Sequence, residues 1–381
     1  MVPNIWKIRY LWALFVLLFL VSGICFAGKE EKKAKYLKRA RQYVEKNELK
    51  KAVIEFRNVV QIDPEDDAAH YELGETYLKL KQAKEAFLSF SRAVSINPDN
   101  LEAQLKMGQI YLIAKKTKEA REKADLILAK SPDKIDALTL LSVVQLQEKD
   151  IDAAIKTLEK AVSISPNHFE IHISLGRLYA LKGDFDPAEK IYQKAISLDP
   201  ASPAPYIDLS RIYIAKGEWD RAESELKKMV QLSDKKSHGL SLLAFFYENR
   251  KRWDEAEKTH LEAARSAPAG EVTPLMNLGN FYARRKSYDE ALQTFEKVLA
   301  VKKDDLNILV HIAELHLRFN RVKEAEATVD TVLEKDATHV RANLLKGRLY
   351  LLEKDFDRAL ERFDLVIRRP PETLRPIISG A

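Results

Sequence analysis

An alanine returns at a fixed interval along almost the whole chain. It stands at Ala52, Ala86, Ala120, Ala154, Ala188, Ala222 and Ala256, 34 residues apart, and after one spacing of 35 at Ala291, Ala325 and Ala359. A period of this length is the mark of an array in which one supersecondary unit is stacked on copies of itself, each too small to bury its own apolar face. Counted so that this alanine is the twentieth residue, ten copies begin at Lys33, Asp67, Leu101, Ile135, Phe169, Pro203, Ser237, Val272, Leu306 and Val340.

Other columns say what the unit is. The eighth residue is always small (Ala40, Gly74, Gly108, Ser142, Gly176, Ser210, Ala244, Gly279, Ala313, Gly347), as two closely approaching helix backbones require. Three residues on comes a Tyr in eight copies, replaced by Gln145 and His316 in the other two. Pro closes seven copies, often as Asp63-Pro64, Asn97-Pro98 or Asp199-Pro200, which bars helix continuation. Between the helices, Gly183 and Gly217 suit a left-handed helix end. Asp152, Asp186, Asp220, Asp254, Asp289 and Asp357 then read as N-caps of the second helix. Each copy is therefore expected to be two amphipathic helices and a break.

The pattern resembles the tetratricopeptide repeat (TPR) family. Leu73-Gly74, Tyr77, Ala86, Phe90, Ala93 and Pro98 carry its signature in full in the second copy, and Leu175-Gly176, Tyr179, Ala188, Tyr192, Ala195 and Pro200 nearly so in the fifth. The resemblance implies an all-α fold, a right-handed α-solenoid of about ten TPR helix hairpins over residues 33–373, with first helices lining a concave groove. Only the tail 374–381 follows, where such arrays usually add a polar capping helix. The last repeat is thus expected to pack on something else, or the chain to be part of a longer one.

The amino terminus is of another kind. Tyr10 to Ala27 is uncharged and mostly apolar behind Lys7 and Arg9, so 1–27 reads as a signal peptide or membrane anchor, with 28–32 a short basic linker. Cys25-Phe26-Ala27 suits cleavage after Ala27 and export to a bacterial periplasm or envelope. Retention as a lipoprotein acylated at Cys25 is an alternative. So is an uncleaved inner-membrane anchor, because the Lys and Arg residues from Lys29 to Arg41 outnumber those before the apolar run and favour a cytoplasmic body. The body carries no Asn-x-Ser/Thr acceptor and, after Ala27, no Cys, which favours a bacterial envelope over a eukaryotic secretory route.

Charge and motifs exclude several functions. Net charge is +6, but residues 1–60 carry thirteen Lys/Arg against five Asp/Glu, a net +8, which leaves the remainder at −2. No basic stripe runs along the body, so no nucleic-acid partner is expected. No phosphate loop, dinucleotide fingerprint, zinc-protease helix or nucleophile elbow occurs, and neither catalytic residues, cofactor nor metal are expected. His311, Glu314 and His316 come closest to a ligand set, but His316 stands in the Tyr column and about 140° round the helix from His311.

What remains is binding in the groove. Leu105, Leu112, Val143, Leu146, Ile173, Ala180, Ile207 and Ile214 form an apolar stripe on the first helices of copies three to six, interrupted by Arg177 and Arg211. Such a floor suits a helix or extended peptide bearing a carboxylate. In the eighth copy Asn277, Asn280 and Arg284 share a face beside Met276, fitted to hold a peptide backbone. The expected function is a non-enzymatic scaffold for protein partners, tied to envelope or exopolysaccharide assembly by loose resemblance to exported TPR proteins. A glycan-handling accessory subunit and a membrane-anchored cytoplasmic-facing adaptor are the alternatives. Oligomeric state is left open.

Overall fold

The computed structural model describes residues 28–232 and 236–367. Residues 1–27, read from the sequence as a signal or anchor, together with Asp234 and the tail beyond 367, lie outside them. The described residues are helical throughout, without a strand, and no helix among them is long and apolar enough to cross a membrane. They fall into two compact units divided between Leu198 and Asp199. Repeats 1–5 make the first and repeats 6–10 the second.

Within each unit every repeat is a hairpin of helix A and helix B, and helix B packs on helix A of the next repeat. The invariant alanines are where the helices meet: all ten are at most 1% exposed. The small eighth residue has a matching cause. A Cβ on Gly74, Gly176, Gly279 or Gly347 would stand within 2.6 Å of the ring sixteen residues on, at Phe90, Tyr192, Phe295 or Phe363. Large residues at one position and small at the other thus interlock the hairpin.

The Tyr column ties several repeats to the one before. The hydroxyls of Tyr247 and Tyr282 donate to Glu223 (2.9 Å) and Glu257 (2.8 Å) on the preceding helix B, and that of Tyr77 accepts from Arg57 Nε (2.9 Å). Repeat 9 keeps the reach with a different residue, since His316 Nδ1 lies 2.8 Å from the Tyr288 hydroxyl. His316 is therefore a buried packing residue.

One local expectation needs correction. Asp152, Asp186, Asp220, Asp254, Asp289 and Asp357 are not N-caps: helix B starts one residue before each, at Ile151, Phe185, Trp219, Trp253, Tyr288 and Phe356. Where a side chain caps helix B it comes two residues earlier, as when Asp150 accepts from the Ala153 N–H (3.0 Å) and Asp355 from that of Arg358 (3.1 Å). The other acids still lie in the first turn, where the helix dipole favours negative charge. Phe356, which opens helix B of repeat 10, is 66% exposed.

The turn between helices A and B is left-handed in all ten repeats, but Gly supplies it only at Gly183 and Gly217. Asn47, Lys81, Lys115, Lys149, Lys251, Lys286, Asn320 and Lys354 take the same positive φ elsewhere.

Candidate partner-binding site

The second unit brings polar side chains from successive A helices together. Helix A of repeat 7 (Lys236–Asn249) touches that of repeat 8 (Thr273–Arg284), and helix A of repeat 9 (Leu306–Arg318) touches that of repeat 10 (Val340–Leu352). Across the first of these contacts Arg284 grips Glu248 with two parallel bonds, Nε to Oε2 at 3.0 Å and Nη2 to Oε1 at 2.9 Å. Behind it, the fully buried His260 places Nε2 2.7 Å from Glu248 Oε1 and packs between Phe245 and Phe281. Burial pushes the Glu248 carboxyl up, yet the bonds from His260 and Arg284 outweigh it and hold it below the usual range.

Across the second contact Arg341 Nη2 donates to both oxygens of Glu314 (2.9 and 2.8 Å), with its Nη1 3.3 Å from His311 Nε2. Burial first, and the Arg341 charge second, lower the His311 pKa, so that its ring is neutral near pH 7. No group of His, Cys, Asp and Glu among the described residues is arranged to hold a metal.

Met276, Asn277 and Asn280 are half-buried on helix A of repeat 8, between these two paired sets. Neither Asn amide hydrogen-bonds to another described residue. Asn280 lines a small cleft of about 40 Å³ with Ala283, Phe295, His311, Glu314, Leu315 and Arg318. A wider cleft of about 550 Å³ opens between repeats 7 and 8, lined by Phe245, Glu248, Asn249, Trp253, Arg284 and Arg285. Free amides beside open clefts can take up both the N–H and the C=O of a peptide backbone.

The apolar stripe is less uniform than its spacing implies. Ile173, at 2% exposed, and Leu105, at 3%, are packed inside the first unit and do not line its surface. Ile207 is half-buried and Ile214 is 38% exposed. Arg177 is exposed on the first unit. Arg211, on the second, donates to the buried carboxylate of Asp208 at 3.0 Å, so part of its charge is already matched. Glu248 and Phe245 belong to the site although no periodic signal marks them, since Glu stands at that repeat position in this copy alone.

The profile of the cilia and flagella-associated protein 70 C-terminal domain, a TPR family, matches residues 115–344, more than half of the chain. The chain belongs to this TPR family. A second TPR profile, that of cytochrome c-type biogenesis protein H, matches residues 29–170 of the TPR chain. Among curated proteins, mouse tetratricopeptide repeat protein 21A is 24% identical over 97 residues, which are 26% of this chain and 7% of the mouse protein. A TPR protein from Parabacteroides merdae shares the fold, at TM-score 0.50 and 16% identity over 75% of this chain and 99% of that one. Yeast Tom70 aligns over 92% of this chain and 95% of its own at 15% identity and TM-score 0.45.

Proposed function

We propose that this TPR protein is a non-enzymatic scaffold that takes a peptide or helix of a partner protein on its A-helix face, centred on repeats 7–10. The observation that carries this reading is Asn280, a half-buried amide without a partner among the described residues that lines a cleft with His311 and Glu314, with the half-buried and equally unpartnered Asn277 on the same helix. Ordering cost is low at such a site, because the flanking Arg284 and Arg341 are fixed before anything binds.

The place of action proposed is a bacterial envelope, reached through the apolar segment 1–27, with a role in envelope or exopolysaccharide assembly. Cytochrome c-type biogenesis protein H is by its name a biogenesis protein, and the match of its TPR profile to residues 29–170 supports an assembly role for this chain.

Affinity capture of the full-length chain from native membranes after mild cross-linking, followed by mass spectrometry, tests both parts. A few stoichiometric envelope proteins are expected, and they should be lost when Asn277 and Asn280 become Ala. Recovery of the same proteins with that variant would remove the site from the account. Recovery of cytoplasmic proteins alone would instead favour the adaptor that faces the cytoplasm.

A further inference from the structure

The turn ends of repeats 7–9 carry a feature that the groove does not use. Arg250 lies over the ring of Trp219 (4.2 Å from guanidinium carbon to ring centroid), Arg285 over Trp253 (4.3 Å) and Arg321 over Tyr288 (4.1 Å). Each pair joins one repeat to the next, so the stacks recur at three successive interfaces of the second unit. Stacking pins a guanidinium by one face and leaves its N–H edge pointing away, ready for a bidentate acceptor.

Arg250 and Arg285 have no carboxylate partner among the described residues. Beside them Lys251 and Lys286 occupy the left-handed position (φ 57° and 64°) and are exposed. The same turns in repeats 5 and 6 read Lys182-Gly183-Asp184 and Lys216-Gly217-Glu218, where the Lys meets an acid; in repeats 7 and 8 they read Arg250-Lys251-Arg252 and Arg285-Lys286-Ser287. The wide cleft reaches this edge, since Arg285 and Trp253 line it together with Phe245, which is 37% exposed.

We infer that this edge docks an acidic segment of a partner protein, its carboxylates on Arg250 and Arg285 and an apolar side chain against Phe245. The inference rests on the scaffold reading and names the chemistry of the partner. Two other polyanions fit less well. A membrane surface would have to enter a concave cleft, and an acidic glycan brings no apolar group to cover Phe245.

The probe is a short fluorescein-labelled peptide of glutamates around one phenylalanine, read by anisotropy against the full-length chain. Its all-glutamine counterpart, phosphatidylglycerol vesicles and polygalacturonate are run beside it. The glutamate peptide should bind, more weakly as salt is raised, and the glutamine peptide should not. Arg250→Gln with Arg285→Gln should weaken binding about tenfold or more. Because those changes also remove two stacks, Lys251→Glu with Lys286→Glu serves as the second variant, since it reverses charge with both stacks in place, and the same direction is expected.

Equal binding by wild type and either variant overturns the inference, as does preference for the vesicles or polygalacturonate. If partners are captured as well by Arg250→Gln/Arg285→Gln as by wild type, the acidic edge fails while the scaffold stands. If the peptide binds as described and capture returns no partner, the scaffold reading fails while the edge stands.

Discussion

Phe295 Cε1 lies 2.6 Å from the point where a Cβ on Gly279 would stand. Phe295 is 2% exposed, so its ring has nowhere to retreat. Gly279→Ala should therefore destabilise the second unit by about 1–2 kcal/mol, the overpacking cost less the small helix gain of Ala over Gly. Repeats 4 and 6 show the alternative solution, Ser142 with Leu158 and Ser210 with Leu226. Combining Gly279→Ala with Phe295→Leu should hence cost less than the sum of the two single changes. Urea midpoints of the four proteins check it, and strict additivity would mean that the two positions do not interlock.

The left-handed turns predict the opposite sign. Lys115 has φ 58°, a conformation that costs a residue with a Cβ roughly 1–2 kcal/mol, and it is exposed on the first unit. Lys115→Gly should remove that strain and return part of the gain as extra freedom in the unfolded chain. A net stabilisation of about 0.5–1 kcal/mol is expected. Gly183→Lys, at φ 91°, should lose at least as much. Thermal denaturation of both variants decides it, and a loss of stability in Lys115→Gly would contradict the account.

These two cases mark what the sequence makes legible. The alanine and small-residue columns recur in all ten copies, Tyr in eight and Pro in seven, so the hairpin and its period can be read without coordinates. The pairing of the eighth residue with the one sixteen later is legible only in part, since Gly meets an aromatic ring in four copies and Ser meets Leu in two, while repeat 1 sets Ala40 against Phe56 and repeat 3 Gly108 against Ala124. The caps were misplaced because Asp is frequent both at the cap and in the first turn, where charge alone stabilises it. Burial of Ile173 cannot be had from spacing, since one face of helix A meets both the neighbouring repeat and the surface. The Glu248–Arg284 pair spans 36 residues and occurs once, so no periodicity announces it.

Acid should act on the second unit through Glu223. Burial raises its pKa, but hydrogen bonds from Lys227, Arg252 and Tyr247 outweigh this and hold it at about 2, against 4.5 for an ordinary glutamate. A carboxyl with a depressed folded pKa contributes stability that is complete above the unfolded value and is lost as pH falls through the folded one. Its share, on the order of 2–3 kcal/mol, should disappear between about pH 4.5 and pH 2. Glu223→Gln should be less stable than wild type at pH 7 and show a flatter acid limb. Urea midpoints at both ends of that range measure this, and parallel curves for the two proteins would show that Glu223 is not the group responsible.

The stack of Arg285 on Trp253 can be separated from the charge it presents. A double-mutant cycle of Trp253→Ala and Arg285→Ala should give a coupling of about 0.5–1 kcal/mol, as for an exposed cation over an aromatic face. Trp253→Ala alone should cost more than Arg285→Ala alone, because the indole is half-buried between repeats whereas the guanidinium is exposed. Orientation is the point at issue. If the ring holds the guanidinium flat, then Trp253→Ala should also weaken the acidic peptide although it leaves every positive charge in place. A coupling near zero, with peptide binding unchanged in Trp253→Ala, would mean that charge alone attracts the peptide and that the stack contributes only to the fold.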